Sequence, residues 1–320
     1  MPRLLVLFLD GVGLGEDDPQ KNPLAAASMP SLLGLLDGRR LVRSAAPFEG
    51  ASATLLAVDA CLGVDGWPQS ATGQAAILTG RNVPAEIGEH YGPKPNPAIA
   101  DIVRRGNLFS EVVRRGGQAA LLNAYPPRYF DGIESGRRLY SCIPLAATSA
   151  GVPLRTSTDL LGGRAFSADF TGEGWARQPG FPPTTIHSPR EAGLRLAQLS
   201  SEVDLAWFDY WASDYAGHKG DWAISLPLLE SFDGVLGGLV EASGNRPDLV
   251  VLTSDHGNLE DSDRRGHTRN PVPALVLGPL EARRRFTSDL RDLTGFYAAI
   301  LRAIFGEGSR QSMRPPRNAE

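Results

Sequence analysis

A small set of residues in this 320-residue chain has the types and spacing that metal-assisted chemistry requires. Asp255 and His256 are adjacent and directly follow the apolar run Leu249–Leu252, with His267 a short loop away. A carboxylate and an imidazole at one strand end can aim two ligating groups into one crevice, and a returning His can add a third. Asp214 and His218 are four apart, so on a helical turn both side chains share a face. Asp10 follows a second apolar run, Leu4–Leu9. Ser70 stands after Pro68 and just before the small, helix-compatible run Ala71–Leu78. That puts its hydroxyl near a helix N-cap, where free amides and the positive end of the dipole favour an anion such as phosphate. Thr72, slightly further in, is a second candidate hydroxyl. Each residue also has a plainer account: Asp10 and Asp255 as turn formers, Ser70 as a cap, Asp214 and His218 as a local hydrogen bond, the His as surface groups. The set is harder to explain that way, because it takes three of the chain's five histidines.

These residues need elements to hold them. Leu4–Leu9, Gln118–Ala124, Asp204–Phe208, Leu249–Leu252 and Ala274–Leu277 read as buried strands. Between them, Met29–Leu36, Pro97–Gly116 (broken at Gly106-Asn107), the stretch opened by the Ser188-Pro189-Arg190-Glu191 capping box, Leu226–Val240 and Leu293–Ile304 read as helices. The alternation predicts an α/β fold, a three-layer α/β/α sandwich with a mostly parallel central sheet, and ligands in such sheets bind outside the carboxyl ends of the strands. The glycines at 11, 13 and 15 do not have the spacing of a dinucleotide loop. Between Tyr125 and His187 the rhythm disappears into Gly, Pro, Ser, Thr, Arg and aromatic residues, which predicts an inserted cap. The expected division is therefore a core of 1–124 and 188–310, a cap of 125–187 and a frayed tail of 311–320. Glu281–Arg285 reads as a charged linker.

Composition excludes several classes. A net charge of −4 offers no basic field for nucleic acid and no polybasic membrane patch. Leu4–Leu9 is too short to span a bilayer, and no other segment reads as long enough. Cys61 and Cys142 suggest neither a disulfide framework nor a Cys-based metal site, which fits a cytoplasmic protein.

Taken in order, Leu9-Asp10-Gly11, Gln69-Ser70-Ala71-Thr72-Gly73 with Gly80-Arg81, Asp214-Tyr215-Ala216-Gly217-His218, Thr253-Ser254-Asp255-His256-Gly257-Asn258 and His267-Thr268-Arg269-Asn270-Pro271-Val272-Pro273 resemble the motifs of the alkaline phosphatase superfamily. The branch they resemble is that of cofactor-independent phosphoglycerate mutase and phosphopentomutase. The resemblance implies two divalent ions, manganese or zinc with magnesium also admissible. Asp214, His218 and His267 would hold one; Asp10, Asp255, His256 and the Ser70 oxygen the other. It also implies a phosphoserine intermediate at Ser70 and a small phosphorylated substrate. Water as final acceptor makes a phosphatase, and a retained substrate makes a phosphosugar or phosphoglycerate mutase. Two departures from the mutases favour hydrolysis: the stretch 125–187 is shorter than their second domain, and Gln74 stands where the nucleophile motif usually has a His. A sulfatase would need Pro and Arg after the nucleophile, where this chain has Ala71-Thr72-Gly73. A non-catalytic metal-binding protein of the same fold is the alternative outside enzymology. The cap arginines Arg128, Arg137, Arg138 and Arg155 are candidates for a second substrate anion.

Overall fold

A computed structural model describes residues 1–178, 181, 183–242 and 247–306; the predicted tail lies outside these. Nine strands form: β1 (Leu4–Leu9), β2 (Phe48–Glu49), β3 (Ala53–Val58), β4 (Ala119–Leu121), β5 (Ala124–Tyr125), β6 (Arg155–Thr156), β7 (Leu205–Tyr210), β8 (Leu249–Thr253) and β9 (Val272–Leu277). Seven make the central sheet in the order β2-β3-β9-β8-β1-β7-β4, and β5 pairs with β6 in a separate ribbon.

Every residue of β1 is buried, because both faces of the sheet are covered. Leu4, Val6 and Phe8 join one apolar layer, and Leu5, Leu7 and Leu9 join the other. This alternation is the period-two pleat of a strand lying between two helical layers. In one layer Trp207 is fully buried against Phe8 and Phe109, with ring centroids 5.8 and 6.0 Å away.

The register positions the site. β1 runs parallel to both β7 and β8, with Leu9 opposite Tyr210 and Phe8 opposite Thr253. Continued past the strands, this register brings Asp10 level with Trp211 and Asp255 at the carboxyl end of the sheet. β9 runs antiparallel to β8 and to β3. Parallel pairing thus holds across β4-β7-β1-β8 and gives way beyond it. The cause is the 254–271 connection, which has no crossover helix: it leaves and re-enters the sheet at the same edge. That return brings His267 back to the end of β8.

The predicted linker at 281–285 is instead the helix Leu280–Thr287. Arg283 turns inward and is fully buried, donating from Nε to Gly278 O at 2.9 Å, from Nη1 to Thr54 Oγ1 at 2.8 Å and from Nη2 to Gly50 O and Ala51 O at 3.0 and 2.9 Å. A guanidinium with four carbonyl and hydroxyl acceptors is satisfied in the interior, which a charge count does not reveal. A second correction concerns Trp222–Glu241, a helix whose length and mean hydropathy of 1.4 would suffice to cross a membrane. Here its Leu229, Phe232, Val235, Leu236 and Leu239 are buried in a core layer. Its buried Asp233 accepts from the amides of Ser31 and Leu32 at 2.9 and 2.8 Å, fixing the start of the helix Pro30–Leu35.

The stretch 125–187 is more ordered than its composition implies. It holds the helices Pro127–Glu134, Cys142–Ser149, Ser157–Leu161 and Glu173–Ala176. Of these, Cys142–Ser149 packs into the main core, where Cys142 Sγ donates to Ala71 O at 3.2 Å. A small separate cluster forms around Trp175, Ala165 and Ala124.

Candidate metal centre

Ser70 opens the helix Ser70–Thr79, with Gln69 rather than Ser70 at the N-cap. The hydroxyl is therefore not used in capping; it lies 3.0 Å from His256 Nε2. Thr72, by contrast, donates to Gln69 O and accepts from the Tyr91 amide at 3.2 Å, so it is tied to the backbone. Among the described residues the helix leaves the amides of Ser70 and Ala71 for an incoming anion, since those of Thr72 and Gly73 are taken by Tyr91 O and Gln69 O.

The other candidates converge on the same point. His256 Nε2 is 3.4 Å from Asp10 Oδ1 and 3.7 Å from Asp255 Oδ1. Beside them, Asp214 Oδ2 lies 3.3 Å from His218 Nε2 and its Oδ1 lies 3.9 Å from His267 Nε2. The His256 and His267 rings stack at 3.7 Å, which joins the two groups. Two triads, Asp10–Asp255–His256 and Asp214–His256–His267, each place three ligating atoms within 4.8 Å of one another. His218 is the outermost member, its side chain about half exposed.

Tautomers follow from the backbone. His267 Nδ1 lies 2.6 Å from Pro68 O and His256 Nδ1 lies 3.3 Å from Gly257 O. A carbonyl only accepts, so these nitrogens carry the protons and each Nε2 keeps a lone pair facing the carboxylates.

Electrostatics identify what the site lacks. Burial, then the charge of Asp255, pushes the Asp10 carboxyl well above its usual range. Burial, then Asp214, raises Asp255 to about 7. Burial, then the neighbouring His256, lowers His267 to about 4. Acids pushed up and imidazoles pushed down mean that the buried donors favour their neutral forms. Asp10 Oδ1 is buried with no hydrogen-bond partner. The donor set of two crowded carboxylates, neutral imidazoles and an orphaned oxygen fits divalent cations, which would supply the positive charge that these groups need.

Close packing holds the constellation. A Cβ at Gly11, which has φ +70°, would come within 2.6 Å of Asp214 Oδ1, and one at Gly73 within 2.8 Å of Asp255 O. Both backbones approach the ligands as closely as a glycine allows. Gln74 donates from Nε2 to Asp255 Oδ2 at 3.2 Å and to Asp10 Oδ2 at 3.4 Å, so one neutral amide bridges two carboxylates.

Several residues beyond the ligand set support the site, and two of them, Glu260 and Asp209, stand outside the motifs. Glu260, buried on the loop, accepts from the amides of Gly13 and Asn258 at 3.0 and 2.8 Å, from Asn270 Nδ2 at 2.9 Å and from Thr268 Oγ1. It ties the Asp10 turn to both ends of the 257–270 loop. Asn258 Nδ2 donates to Asp214 Oδ1 at 2.7 Å, and Ser254 Oγ accepts from the Val12 amide at 2.9 Å. A buried acid at a strand end, Asp209, is raised to about 7 by burial and then by Asp255, with Lys94 opposing. It sits in β7, not in the loop after it, and its Oδ1 has no partner.

Of the four cap arginines, Arg128 and Arg138 line a cavity of about 380 Å³ beside this centre, whereas Arg137 bonds Ser135 Oγ at 2.9 Å and Arg155 lies in β6.

Residues 190–303 match the Metalloenzyme superfamily. The chain is 38% identical over 103 residues to the 2,3-bisphosphoglycerate-independent phosphoglycerate mutase of Desulforudis audaxviator, a match covering 30% of this chain and 20% of that one. It is 40% identical over 93 residues to the enzyme of the same name from Cereibacter sphaeroides, covering 27% and 18%. The matched stretch is thus about a fifth of those relatives' length. Over the whole fold, the alkaline phosphatase of the Antarctic bacterium TAB5 superposes with a TM-score of 0.51 at 14% identity, covering 95% of this chain and 98% of that one. The PH0037 protein of Pyrococcus horikoshii gives 0.51 at 14%, covering 87% and 85%. The chain thus has the fold of an alkaline phosphatase, and the segment that carries Asp214, His218, Asp255, His256 and His267 is similar to the Metalloenzyme superfamily.

Proposed function

We propose that this enzyme transfers the phosphoryl group of a small phosphomonoester to Ser70 and then to water. The observation that carries the reading is Ser70 Oγ, free of any capping role and 3.0 Å from His256 Nε2, at a helix N-terminus amid buried carboxylates and imidazoles. Asp214, His218 and His267 would hold one divalent ion, and Asp10, Asp255, His256 and Ser70 Oγ the other; manganese, zinc and magnesium all suit this mixed donor set. Such ions, when bound, lower the pKa of the hydroxyl and offset the charge of the phosphate.

The chain's own groups do the rest. The amides of Ser70 and Ala71 face the arriving phosphate oxygens, and Ser70 Oγ is the attacking atom. The Oγ–P bond forms as the ester P–O bond breaks, and the proton lost by Oγ balances the one gained by the departing alcohol. Water then attacks phosphorus, the Oγ–P bond breaks, and Ser70 recovers its proton as phosphate leaves. Gln74 donates to both Asp10 and Asp255 and so helps to orient them. The stretch 125–187 is the cap over a core of 1–124 and 188–310, and we take the enzyme to be cytoplasmic.

Retention of the substrate, making the enzyme a phosphomutase, is the second reading, favoured by the likeness to phosphoglycerate mutases. The test is manganese- or zinc-dependent phosphate release from a panel of phosphomonoesters, beside Ser70→Ala and His256→Ala. Release that falls by about a thousandfold or more in both variants supports the reading. A metal-loaded wild type that releases no phosphate but isomerises 3-phosphoglycerate or a pentose phosphate sinks the hydrolase and leaves the mutase. A protein that binds the metal and does neither is the non-catalytic alternative.

A further inference from the structure

The cavity of about 380 Å³ lies between the 125–187 stretch and the carboxyl end of β7, and the walls that matter are Tyr125, Tyr129, Trp175, Phe181 and Trp211. It adjoins the metal centre. Trp211 directly precedes the helix Ala212–Lys219 that carries Asp214 and His218. Asn123, another wall residue, exchanges two hydrogen bonds of 2.8 Å with the backbone of Asp209. Burial and then the charge of Arg138 lower the Lys94 ammonium, with Asp209 and Asp10 opposing.

The walls are a set of rings already packed on one another. Tyr125 and Tyr129 lie 4.5 Å apart, and Trp175 meets Phe181 edge to face at 4.7 Å. Arg128 is laid over Phe181 at 4.6 Å and held by Gln178 Oε1 at 2.5 Å, while Arg138 lies over Tyr129 at 5.2 Å. Both arginines are exposed, and they lie against the rings with their charges still in contact with water. Trp211, half exposed on the cavity wall, has no role in the core and is available to a ligand.

Resting on the phosphoryl-transfer reading, we infer that this cavity seats the alcohol part of the substrate and that this part is a planar ring, as in a nucleoside monophosphate or an aryl phosphate. A three-carbon acid or an open-chain polyol has no flat apolar surface to bury there, whereas a ring gains stacking as well as area. A space of this size is at the small end for ligand sites and suits one ring with its linker.

The experiment uses the metal-loaded full chain. Its kcat/KM is compared for a nucleoside 5′-monophosphate, p-nitrophenyl phosphate, glycerol phosphate and 3-phosphoglycerate. The inference expects at least one ring substrate to exceed both open-chain substrates by about a hundredfold; which ring wins separates the two sources. Trp211→Ala is expected to raise KM for that substrate by about tenfold more than for glycerol phosphate. In parallel, binding of a nucleoside and of 4-nitrophenol to Ser70→Ala is measured by calorimetry, which needs no turnover. Ring binding that weakens in Trp211→Ala supports the inference even if phosphoryl transfer fails. Turnover with no ring preference, or no binding of either ring compound, overturns the inference while leaving the proposed function to stand on its own test.

Discussion

Asp255→Asn separates what the centre was built to do from what the fold alone would prefer. In the folded, metal-free chain, burial and then Asp214 raise the Asp255 carboxyl from 3.8 to about 7. Between those values the folded chain keeps a proton that the unfolded chain has released, so stability is lost as pH rises through that window. Three units at about 1.4 kcal/mol each put the ionisation penalty near 4 kcal/mol at pH 8. At pH 5 the penalty is about 1–2 kcal/mol by the same arithmetic. An Asn of the same shape carries none of it. Its single carbonyl oxygen can accept only one of the two long contacts, from Gln74 Nε2 at 3.2 Å on Oδ2 or from the Gly11 amide at 3.5 Å on Oδ1, and its NH2 group faces the other donor, which offsets part of the gain. Asp10 and Asp209, each raised by burial and then by the Asp255 charge, are relieved in the variant too, which acts in the same direction at pH 8. Urea unfolding in chelator should therefore find the variant about 2–3 kcal/mol more stable than wild type at pH 8, with the advantage shrinking by about 3 kcal/mol at pH 5. With excess manganese the order should reverse, since ion binding stabilises only the chain that holds it well. A variant that is less stable at pH 8 in chelator, or an advantage independent of pH, would refute the view that these carboxylates are crowded against their own stability for the sake of a cation.

Other predictions test how the site is supported. Glu260→Gln turns an acceptor toward donors on the 257–270 loop and should cost about 2–4 kcal/mol in thermal unfolding while weakening metal affinity; unchanged affinity would show that the loop does not depend on this acid. In Gly73→Ala the new methyl meets Asp255 O at 2.8 Å, so kcat and metal affinity should fall together with a loss of about 1–3 kcal/mol, measured by titration and denaturation. Arg283→Ala removes a guanidinium whose acceptors Thr54, Gly50 and Gly278 lie at the opposite edge of the sheet, and should cost about 3 kcal/mol with kcat little changed; a large loss of kcat at temperatures where the variant stays folded would contradict that separation.

Much of the site was legible because its residues stand at the ends of strongly patterned segments. The apolar runs at Leu4–Leu9 and Leu249–Leu252 announce two strands, and parallel register then carries Asp10 and Asp255 to one edge. The four-residue spacing of Asp214 and His218 announces one helical face, which the helix Ala212–Lys219 supplies. The supporting acid Glu260 was not legible, since nothing local marks a loop Glu as the acceptor for groups on three separate segments. Nor was the antiparallel turn of β9, because a six-residue apolar run has no direction in its composition. Arg283 misled, being a charge that is buried, whereas the helix Trp222–Glu241 was legible over Leu226–Val240 and only its apolar length was missed. In each case tertiary partners, not local pattern, decide.

The most direct measurement is acid quench of the manganese-loaded enzyme during turnover of its best phosphomonoester, followed by peptide mapping of the phosphorylated residue. The account predicts phosphoserine at Ser70, absent without metal and absent in Ser70→Ala. Turnover with no phosphoenzyme, or phosphate carried on any other residue, would contradict it.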